Sequence, residues 1–368
     1  MKRMHYMDLL KGIAIFMVVM GHVLTMCIRD IDAATLFKII GEVHMPIFFF
    51  ISGWFTYKTT EDGRIRRPNL RQRAMQLIVP MVIVSSLWVL YFPTSGLKSP
   101  LPTGFDGLWL GEFKNGYWFT LVLFAIMVLY ALLAPTILRL RRPTLAVTTT
   151  VATGIALYAL IYNLVPTQYI GISSGLLIAQ FLPIFMVGAI ARQHQDSFIR
   201  LTANPRAVTI ALIVAIPLFY IAVWPWRIPA LQDIPLIVPV AKIFFQIALI
   251  IVALNIAIPW ADKAYSAERT RPGRIAVIWE YLGRKSLAIY LLHYFFLFPL
   301  TFQQDPARDM ALSIVPLTVI AVAVAACIVA VTLAVEYLLS RSPLTAWLLC
   351  GEYNTISPKQ QQQQQQKQ

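Results

Sequence analysis

Ten long apolar runs divide this chain, and their length restricts it to folds that are stable in a membrane. They lie at residues 7–27, 36–57, 75–93, 117–138, 144–163, 174–191, 207–224, 235–259, 286–302 and 310–340. A helix of this length crosses about 30 Å of hydrocarbon. The strands of a closed barrel would be about half as long and would alternate polar with apolar residues. The sequence therefore predicts an all-α fold, a polytopic membrane helix bundle of about ten transmembrane helices.

The composition argues against several other classes of protein. Apolar residues make up 58% of the 368 residues and charged residues 13%, which is too apolar for an ordinary soluble domain. The net charge is +14, but the arginines stand in short clusters between the apolar runs, as topology signals do, so we expect no nucleic-acid partner. Cys27, Cys327 and Cys350 lie far apart and show no metal-ligand or redox spacing. We expect neither a metal nor a disulfide.

The positions of Lys and Arg predict how the chain crosses the membrane. With the N-terminus placed in the cytoplasm, 24 of the 31 Lys and Arg residues fall in cytoplasmic segments. This asymmetry favours ten spans with both termini cytoplasmic. The predicted organisation is a membrane domain over residues 1–346 followed by a cytoplasmic tail over residues 347–368, whose poly-Gln end is of low complexity.

Lys11 and His22 are ionisable residues within the first apolar run. Lys11 lies near its start and His22 near its end. Eleven residues are about three helical turns, so the two side chains share one face and stand about 16 Å apart along the axis. Ionisable groups are costly inside a membrane and usually face a cavity or the bundle interior. This helix therefore predicts a functional site.

The second apolar run adds Glu42 and His44. It follows a short connection and returns through the membrane, so we expect both residues at nearly the depth of His22. Histidine is suited to proton abstraction near neutral pH, and a carboxylate can orient it, so Glu42 is the predicted orienting group. The alternative is that His22 and His44 only form hydrogen bonds between helices. The spacing alone leaves both interpretations open.

Four motifs together resemble the bacterial acyltransferase-3 family of integral membrane acyltransferases. They are Lys11 with His22 after ten intervening residues, the segment His44-Met-Pro-Ile-Phe-Phe-Phe-Ile-Ser-Gly53, the tripeptide Tyr117-Trp-Phe119, and the segment Leu282-Gly-Arg-Lys-Ser-Leu-Ala-Ile-Tyr-Leu-Leu-His293. The resemblance covers nearly all ten spans. It implies transfer of an acyl group, commonly acetyl from acetyl-CoA, to a hydroxyl of a cell-envelope glycan at the inner (plasma) membrane. It also implies that Lys11 and His22 are essential.

The resemblance implies further contacts for the two substrates. Arg71 and Arg73 are the predicted contacts of the phosphates of the acyl-CoA donor, since arginine binds phosphate well. Gln76 stands where the family often has a second arginine three residues after the first. The alternative is that these arginines only set the topology. Trp118 and His293 are candidate substrate contacts, although Trp118 could equally anchor a span at the membrane surface and His293 could be a core histidine.

The predicted function is therefore that of a standalone O-acyltransferase, which moves an acyl group from cytoplasmic acyl-CoA to a hydroxyl of a glycan or lipid-linked sugar. Membrane lipid is its other expected partner. The competing hypothesis is a transporter of a small acid or lipid-linked sugar, which could use the same intramembrane charges without chemistry. Release of free CoA separates the two, because transport alone would produce none.

Overall fold

The computed structural model describes residues 3–28, 31–97, 104–111, 113–140, 142–231, 234–266, 272–300 and 314–353. Within these residues all regular elements are helical except for one antiparallel bridge between Thr59 and Ile65. This confirms the predicted all-α class. The poly-Gln tail lies outside the described residues.

The α-helices follow in chain order as α1 to α15. They are α1 (His5–His22), α2 (Ile31–Thr56), α3 (Leu70–Tyr91), α4 (Phe105–Trp109), α5 (Trp118–Ile137), α6 (Pro143–Leu164), α7 (Thr167–Ser173), α8 (Gly175–Gln193), α9 (Gln195–Ala203), α10 (Pro205–Val223), α11 (Ile237–Ala264), α12 (Arg274–Arg284), α13 (Ser286–Leu292), α14 (Ile314–Leu339) and α15 (Pro343–Cys350). A π-helical turn, Val23–Cys27, follows α1, and a 3₁₀ turn, His293–Phe296, follows α13.

Nine helices of the described residues are long and apolar enough to cross a membrane, and they correspond to nine of the ten predicted spans. The predicted span at 286–302 is instead a shorter apolar helix, Ser286–Phe296. It ends there because Leu297 is extended, and because Pro299 disfavours helical geometry at the residue before it.

The exposed surface of these helices carries apolar side chains, as contact with lipid requires. On α10, Ile210, Ile213 and Ile216 are 61%, 64% and 72% exposed and recur every three residues along one side of the helix. A soluble protein rarely exposes such a continuous apolar stripe to water, whereas a membrane protein packs such a stripe against lipid chains. The chain is a multi-pass membrane protein.

The chain divides into two compact units. Unit 1 comprises Met1–Ala14, Lys38–Pro68 and Ala125–Arg284, and unit 2 comprises Ile15–Phe37, Asn69–Phe124 and Lys285–Gln368. Helices α1, α2 and α5 each contribute a segment to both units.

Close backbone packing joins α2 and α8 within unit 1. A Cβ atom at Gly53 would lie 1.8 Å from the Phe185 carbonyl oxygen, and one at Gly188 would lie 2.1 Å from the Phe50 carbonyl oxygen. Only glycine allows helices to approach so closely, and membrane helices use small residues in this way. In the same unit α6 packs on α8, and α10 packs on α11.

Unit 2 is built around α3, α13, α14 and α15. Helix α15 packs on α3, where the Trp347 indole N–H donates to the Met75 carbonyl oxygen at 2.8 Å. Lys285, which precedes α13, donates to Glu336 of α14 at 2.7 Å and to Glu352 at 3.0 Å. Burial lowers the pKa of Lys285, but these two carboxylates outweigh it and raise that pKa to about 12. The lysine therefore stays charged and neutralises the buried Glu336.

Candidate active site

His22 lies at the point where α1 gives way to the π-helical turn, in unit 2. The wider turn alters the ladder of backbone hydrogen bonds, and the Thr25 hydroxyl donates to the carbonyl oxygens of Gly21 at 3.1 Å and His22 at 3.3 Å. The helix ends after this turn, because Ile28 is extended. His22 is half-buried, so part of its side chain contacts other protein groups and part of it is exposed.

Tyr294 is a polar partner of His22. Its hydroxyl oxygen lies 2.8 Å from His22 Nε2, and the two ring centroids are 4.7 Å apart. The hydroxyl can donate to an unprotonated Nε2 or accept from a protonated one. This contact allows a proton to pass between the hydroxyl and the imidazole.

His293 completes a three-ring group with His22 and Tyr294. Its ring centroid lies 5.3 Å from that of His22 and 4.3 Å from that of Tyr294, and its side chain is fully buried. Nδ1 lies 2.9 Å from the Ile289 carbonyl oxygen. A carbonyl oxygen only accepts, so Nδ1 carries the hydrogen, and Nε2 of the neutral ring presents a lone pair.

Three hydrogen bonds fix α13 to the start of α5 and to the turn that precedes it. The Tyr290 hydroxyl donates to the Gly116 carbonyl oxygen at 2.9 Å and accepts from the Phe119 backbone N–H at 3.2 Å. The Tyr117 hydroxyl donates to the Leu291 carbonyl oxygen at 3.1 Å. These bonds hold the segment that carries His293 and Tyr294 against the end of the loop.

Gly116 makes room for the Tyr294 hydroxyl. Its φ is +94°, and a Cβ atom at this position would lie 1.7 Å from the hydroxyl oxygen. Both the backbone conformation and the contact therefore require glycine. The indole of Trp88, from α3, closes another side of Tyr294, with ring centroids 5.4 Å apart.

Sequence reasoning identified His22 and His293 but missed Tyr117, Tyr290, Tyr294 and Trp88. The first two lie inside the quoted motifs, and Tyr294 directly follows one of them, so motif membership was an available signal. Trp118, the residue predicted from the same tripeptide, is half-buried with its ring edge-on to Phe113 at 6.4 Å. Its role as a substrate contact stays a prediction.

Lys11 lies in unit 1, where its ammonium is 2.7 Å from Asp8 Oδ1 and 5.9 Å from the centroid of the Phe55 ring. Arg3 contacts the other oxygen of Asp8 at 3.1 Å. The start of α1 is thus lined by positive side chains that share one carboxylate. The role of Lys11 in binding the donor stays a prediction.

Arg3 also joins α1 to α12 through Glu280. The Glu280 carboxylate contacts Arg3 at 2.7 Å and His5 at 2.9 Å, and it accepts the Tyr265 hydroxyl. Burial raises the pKa of Glu280, but the hydrogen bonds from Tyr265 and His5 and the charge of Arg3 lower it below its ordinary value. This carboxylate therefore remains charged and holds the N-terminal segment in place.

Glu42 and His44 lie in unit 1, whereas His22 lies in unit 2. The Glu42 carboxylate forms an ion pair with Lys242 of α11, and buried His44 donates through Nδ1 to the Ile40 carbonyl oxygen at 2.7 Å. His44 therefore presents the lone pair of Nε2, as His293 does. That Glu42 orients His22, and that Glu42 and His44 are catalytic, stay predictions.

The two predicted donor-binding arginines lie at the start of α3. Arg71 is exposed, and half-buried Arg73 donates to Gln76 Oε1 at 3.1 Å. The glutamine that departs from the family pattern therefore accepts a hydrogen bond from the arginine that is retained. Whether either arginine binds acyl-CoA stays a prediction. Among the described residues no group of three or more His, Cys, Asp or Glu side chains could hold a metal ion.

Comparison with known proteins points in one direction. A family model described as an acyltransferase domain matches residues 4–340. The chain is 33% identical to nodulation protein NolL of Sinorhizobium fredii over 141 residues, which are 34% of this chain and 36% of that protein. It is 38% identical to nodulation protein NolL of Mesorhizobium japonicum over 107 residues, 26% of this chain and 27% of that protein. The similarity thus spans about a third of these relatives or less. No solved structure matches the chain.

Proposed function

The chain belongs to the acyltransferase-3 family of integral membrane acyltransferases, and on this premise we propose that it moves an acetyl group from cytoplasmic acetyl-CoA to a hydroxyl of a cell-envelope glycan or lipid-linked sugar. In this proposal the protein lies in the inner membrane with both termini cytoplasmic. The donor enters from the cytoplasm, and the acceptor is presented from outside.

The contact between His22 and Tyr294 is the observation that carries this proposal. A general base must lie within hydrogen-bond reach of the proton that it removes, directly or through a hydrogen-bonded relay such as one water. The hydroxyl of Tyr294 lies 2.8 Å from His22 Nε2 and is surrounded by buried rings.

The reaction follows from this pair. Tyr294 takes the proton of the acceptor hydroxyl while it passes its own proton to His22 Nε2. The acceptor oxygen forms a bond to the carbonyl carbon of the thioester, and the carbon–sulfur bond breaks. The proton held on His22 then goes to the departing sulfur, so the products are an acylated acceptor and CoA with a free thiol.

The remaining predicted residues bind and orient the substrates in this scheme. Lys11, Arg71 and Arg73 contact the phosphates of the donor, for which lysine and arginine are suited. Glu42 and His44 are further proposed catalytic residues, and Trp118 is a proposed substrate contact. Positive charges at the cytoplasmic ends of α1 and α3 favour a donor that carries several phosphate charges.

The test compares His22→Ala with His194→Ala. His194 directly follows α8 in unit 1 and is the matched histidine control. Each variant is expressed in cells that lack the gene, and the envelope glycans are analysed by mass spectrometry. We expect His22→Ala to abolish acylation and His194→Ala to retain it. Acylation that persists in membrane-inserted His22→Ala would exclude His22 as the base.

A second experiment separates acyl transfer from transport. Purified protein is mixed with acetyl-CoA and acceptor, and free thiol is measured. Transfer releases one CoA for each acyl group gained by the acceptor, whereas transport alone releases none. We expect Lys11→Ala to raise the KM for acetyl-CoA while leaving the KM for the acceptor unchanged. Equal effects on both constants would contradict a donor-specific role.

A further inference from the structure

Three buried polar atoms near Tyr294 find no hydrogen-bond partner within the part of the chain that the structure describes. They are Trp88 Nε1, Asn115 Oδ1 and His293 Nε2. Their residues are 1%, 7% and 0% exposed. An unpaired buried polar atom destabilises the fold, so proteins rarely retain one without a reason.

These atoms belong to one neighbourhood. The rings of Trp88 and His293 lie 5.4 Å and 4.3 Å from the ring of Tyr294, measured between centroids. Asn115 directly precedes Gly116, which packs against the Tyr294 hydroxyl. Trp88 and His293 therefore contact the side chain that meets His22, and Asn115 lies in the turn that packs against it.

The hydrogen-bonding character of the three atoms is defined by their other bonds. His293 Nδ1 faces the Ile289 carbonyl oxygen, so its Nε2 accepts. Asn115 Nδ2 donates to the Gly104 carbonyl oxygen at 2.9 Å, so the remaining amide atom, Oδ1, also accepts. Trp88 Nε1 only donates. Two acceptors and one donor suit hydroxyl groups, which both donate and accept. A carboxylate or phosphate fits less well, because it only accepts hydrogen bonds and would meet the lone pairs of two acceptors.

The loop that presents Asn115 is held in a strained conformation. Lys114 and Asn115 have φ of 47° and 53°, in the left-handed region that most residues avoid, and Gly116 follows at 94°. The Lys114 ammonium, which is buried, donates to the Trp109 carbonyl oxygen at 2.9 Å, and Tyr290 holds the Gly116 carbonyl oxygen. Strained backbone that the surrounding structure holds in place is concentrated at functional sites, where it orients groups in advance.

We propose that Trp88, Asn115 and His293 form the binding site for the acceptor, and that this site selects a molecule with several hydroxyl groups. This inference rests on the proposed function, because it places the acceptor beside the proton-transferring pair of Tyr294 and His22. His293 Nε2 and Asn115 Oδ1 accept hydrogen bonds from two acceptor hydroxyls, and Trp88 Nε1 donates to an acceptor oxygen. Another hydroxyl of the same molecule is then free to meet Tyr294.

The experiment measures acetyl transfer from acetyl-CoA to methyl hexosides by the purified full-length protein. Trp88→Phe removes the indole N–H and retains an aromatic ring. Asn115→Gly removes Oδ1 and accepts the left-handed backbone. We expect each substitution to raise the KM for the methyl hexoside about tenfold, the loss of about one hydrogen bond, while the KM for acetyl-CoA changes less than about twofold.

Trp54→Phe is the matched control. Trp54 in unit 1 is also 1% exposed, and its Nε1 also lacks a partner among the described residues. We expect it to leave the KM for the hexoside unchanged. A similar rise in Trp54→Phe, or no rise in either Trp88→Phe or Asn115→Gly, would overturn the acceptor site while the proposed function stands. Wild-type protein that acylates no methyl hexoside and releases no CoA would overturn the proposed function and this site with it.

Discussion

Replacing Gly116 with alanine perturbs the proposed proton path through a single methyl group. The new Cβ would lie 1.7 Å from the Tyr294 hydroxyl oxygen and 2.4 Å from Cζ of the same ring. Both distances are far below van der Waals contact, so the ring must move. The turn cannot shift easily, because the Tyr290 hydroxyl holds the Gly116 carbonyl oxygen at 2.9 Å. We therefore expect the 2.8 Å contact between Tyr294 and His22 to break.

Three contributions determine how far Gly116→Ala lowers the free energy of unfolding. Alanine at a φ of +94° costs about 1–2 kcal/mol of backbone strain. Overpacking against a buried ring costs about 1–3 kcal/mol, and the lost hydrogen bond about 1 kcal/mol. The free energy of unfolding should thus fall by about 3–6 kcal/mol. Because a positioned general base contributes about 10²–10⁴ in rate, kcat should fall by at least about 10².

The assay is a double-mutant cycle on kcat for CoA release, with Tyr294→Phe as the second substitution. Since Gly116→Ala already separates Tyr294 from His22, adding Tyr294→Phe should lower kcat little further, and the two effects should be strongly non-additive. Gly63→Ala is the control, because Gly63 has a φ of +70° with no atom within 4 Å of the added Cβ among the described residues. It should retain wild-type kcat. Full activity in Gly116→Ala, or simple additivity of the two substitutions, would refute the reasoning.

Two further predictions concern the ion pairs that hold the helix ends. Lys285→Met should lower the free energy of unfolding by about 3 kcal/mol, because it leaves the buried carboxylate of Glu336 without its ion-pair partner. Denaturation by SDS titration should show this loss of stability, and the double variant Lys285→Met/Glu336→Leu should recover it. Equal stability of the single and the double variant would contradict this prediction. Glu280 has a pKa below its ordinary value, so its stabilising effect is complete above the unfolded-state pKa of about 4.3 and disappears as the pH falls through the lower folded-state pKa. Glu280→Gln should therefore be less stable than wild type at pH 6, with the difference shrinking below about pH 4, and a difference that grew in acid would contradict this sign.

The membrane character and the helical architecture could be predicted from sequence because they depend on local properties. Whether about 20 consecutive residues are stable in lipid is decided by the sum of their own transfer free energies, without reference to the rest of the chain. Ten spans were predicted on this basis, and nine of them correspond to long apolar helices among the described residues. The span predicted at 286–302 shows where the argument weakens, since apolar composition does not reveal the early end of a helix. Pro299 was the available signal.

The candidate site could be predicted only in part. Lys11 and His22 stood out because ionisable residues are conspicuous within an apolar run, whatever they contact. His293 was identified for the same reason, together with its motif. Tyr294 and Trp88 were not identified, because aromatic residues in a span are usually packing residues, and nothing in their local sequence distinguishes one that contacts a histidine.

The sequence by itself determined that this chain is a membrane helix bundle, that ionisable residues lie within its apolar runs, and which family it resembles. Only the tertiary structure decided which groups meet. Tyr294 and His22 are 272 residues apart in the chain, and Tyr290 and Gly116 are 174 apart, so their contacts arise from packing between distant segments. The physical reason is that transfer into lipid is a property of each segment, whereas a hydrogen bond requires two particular atoms about 3 Å apart.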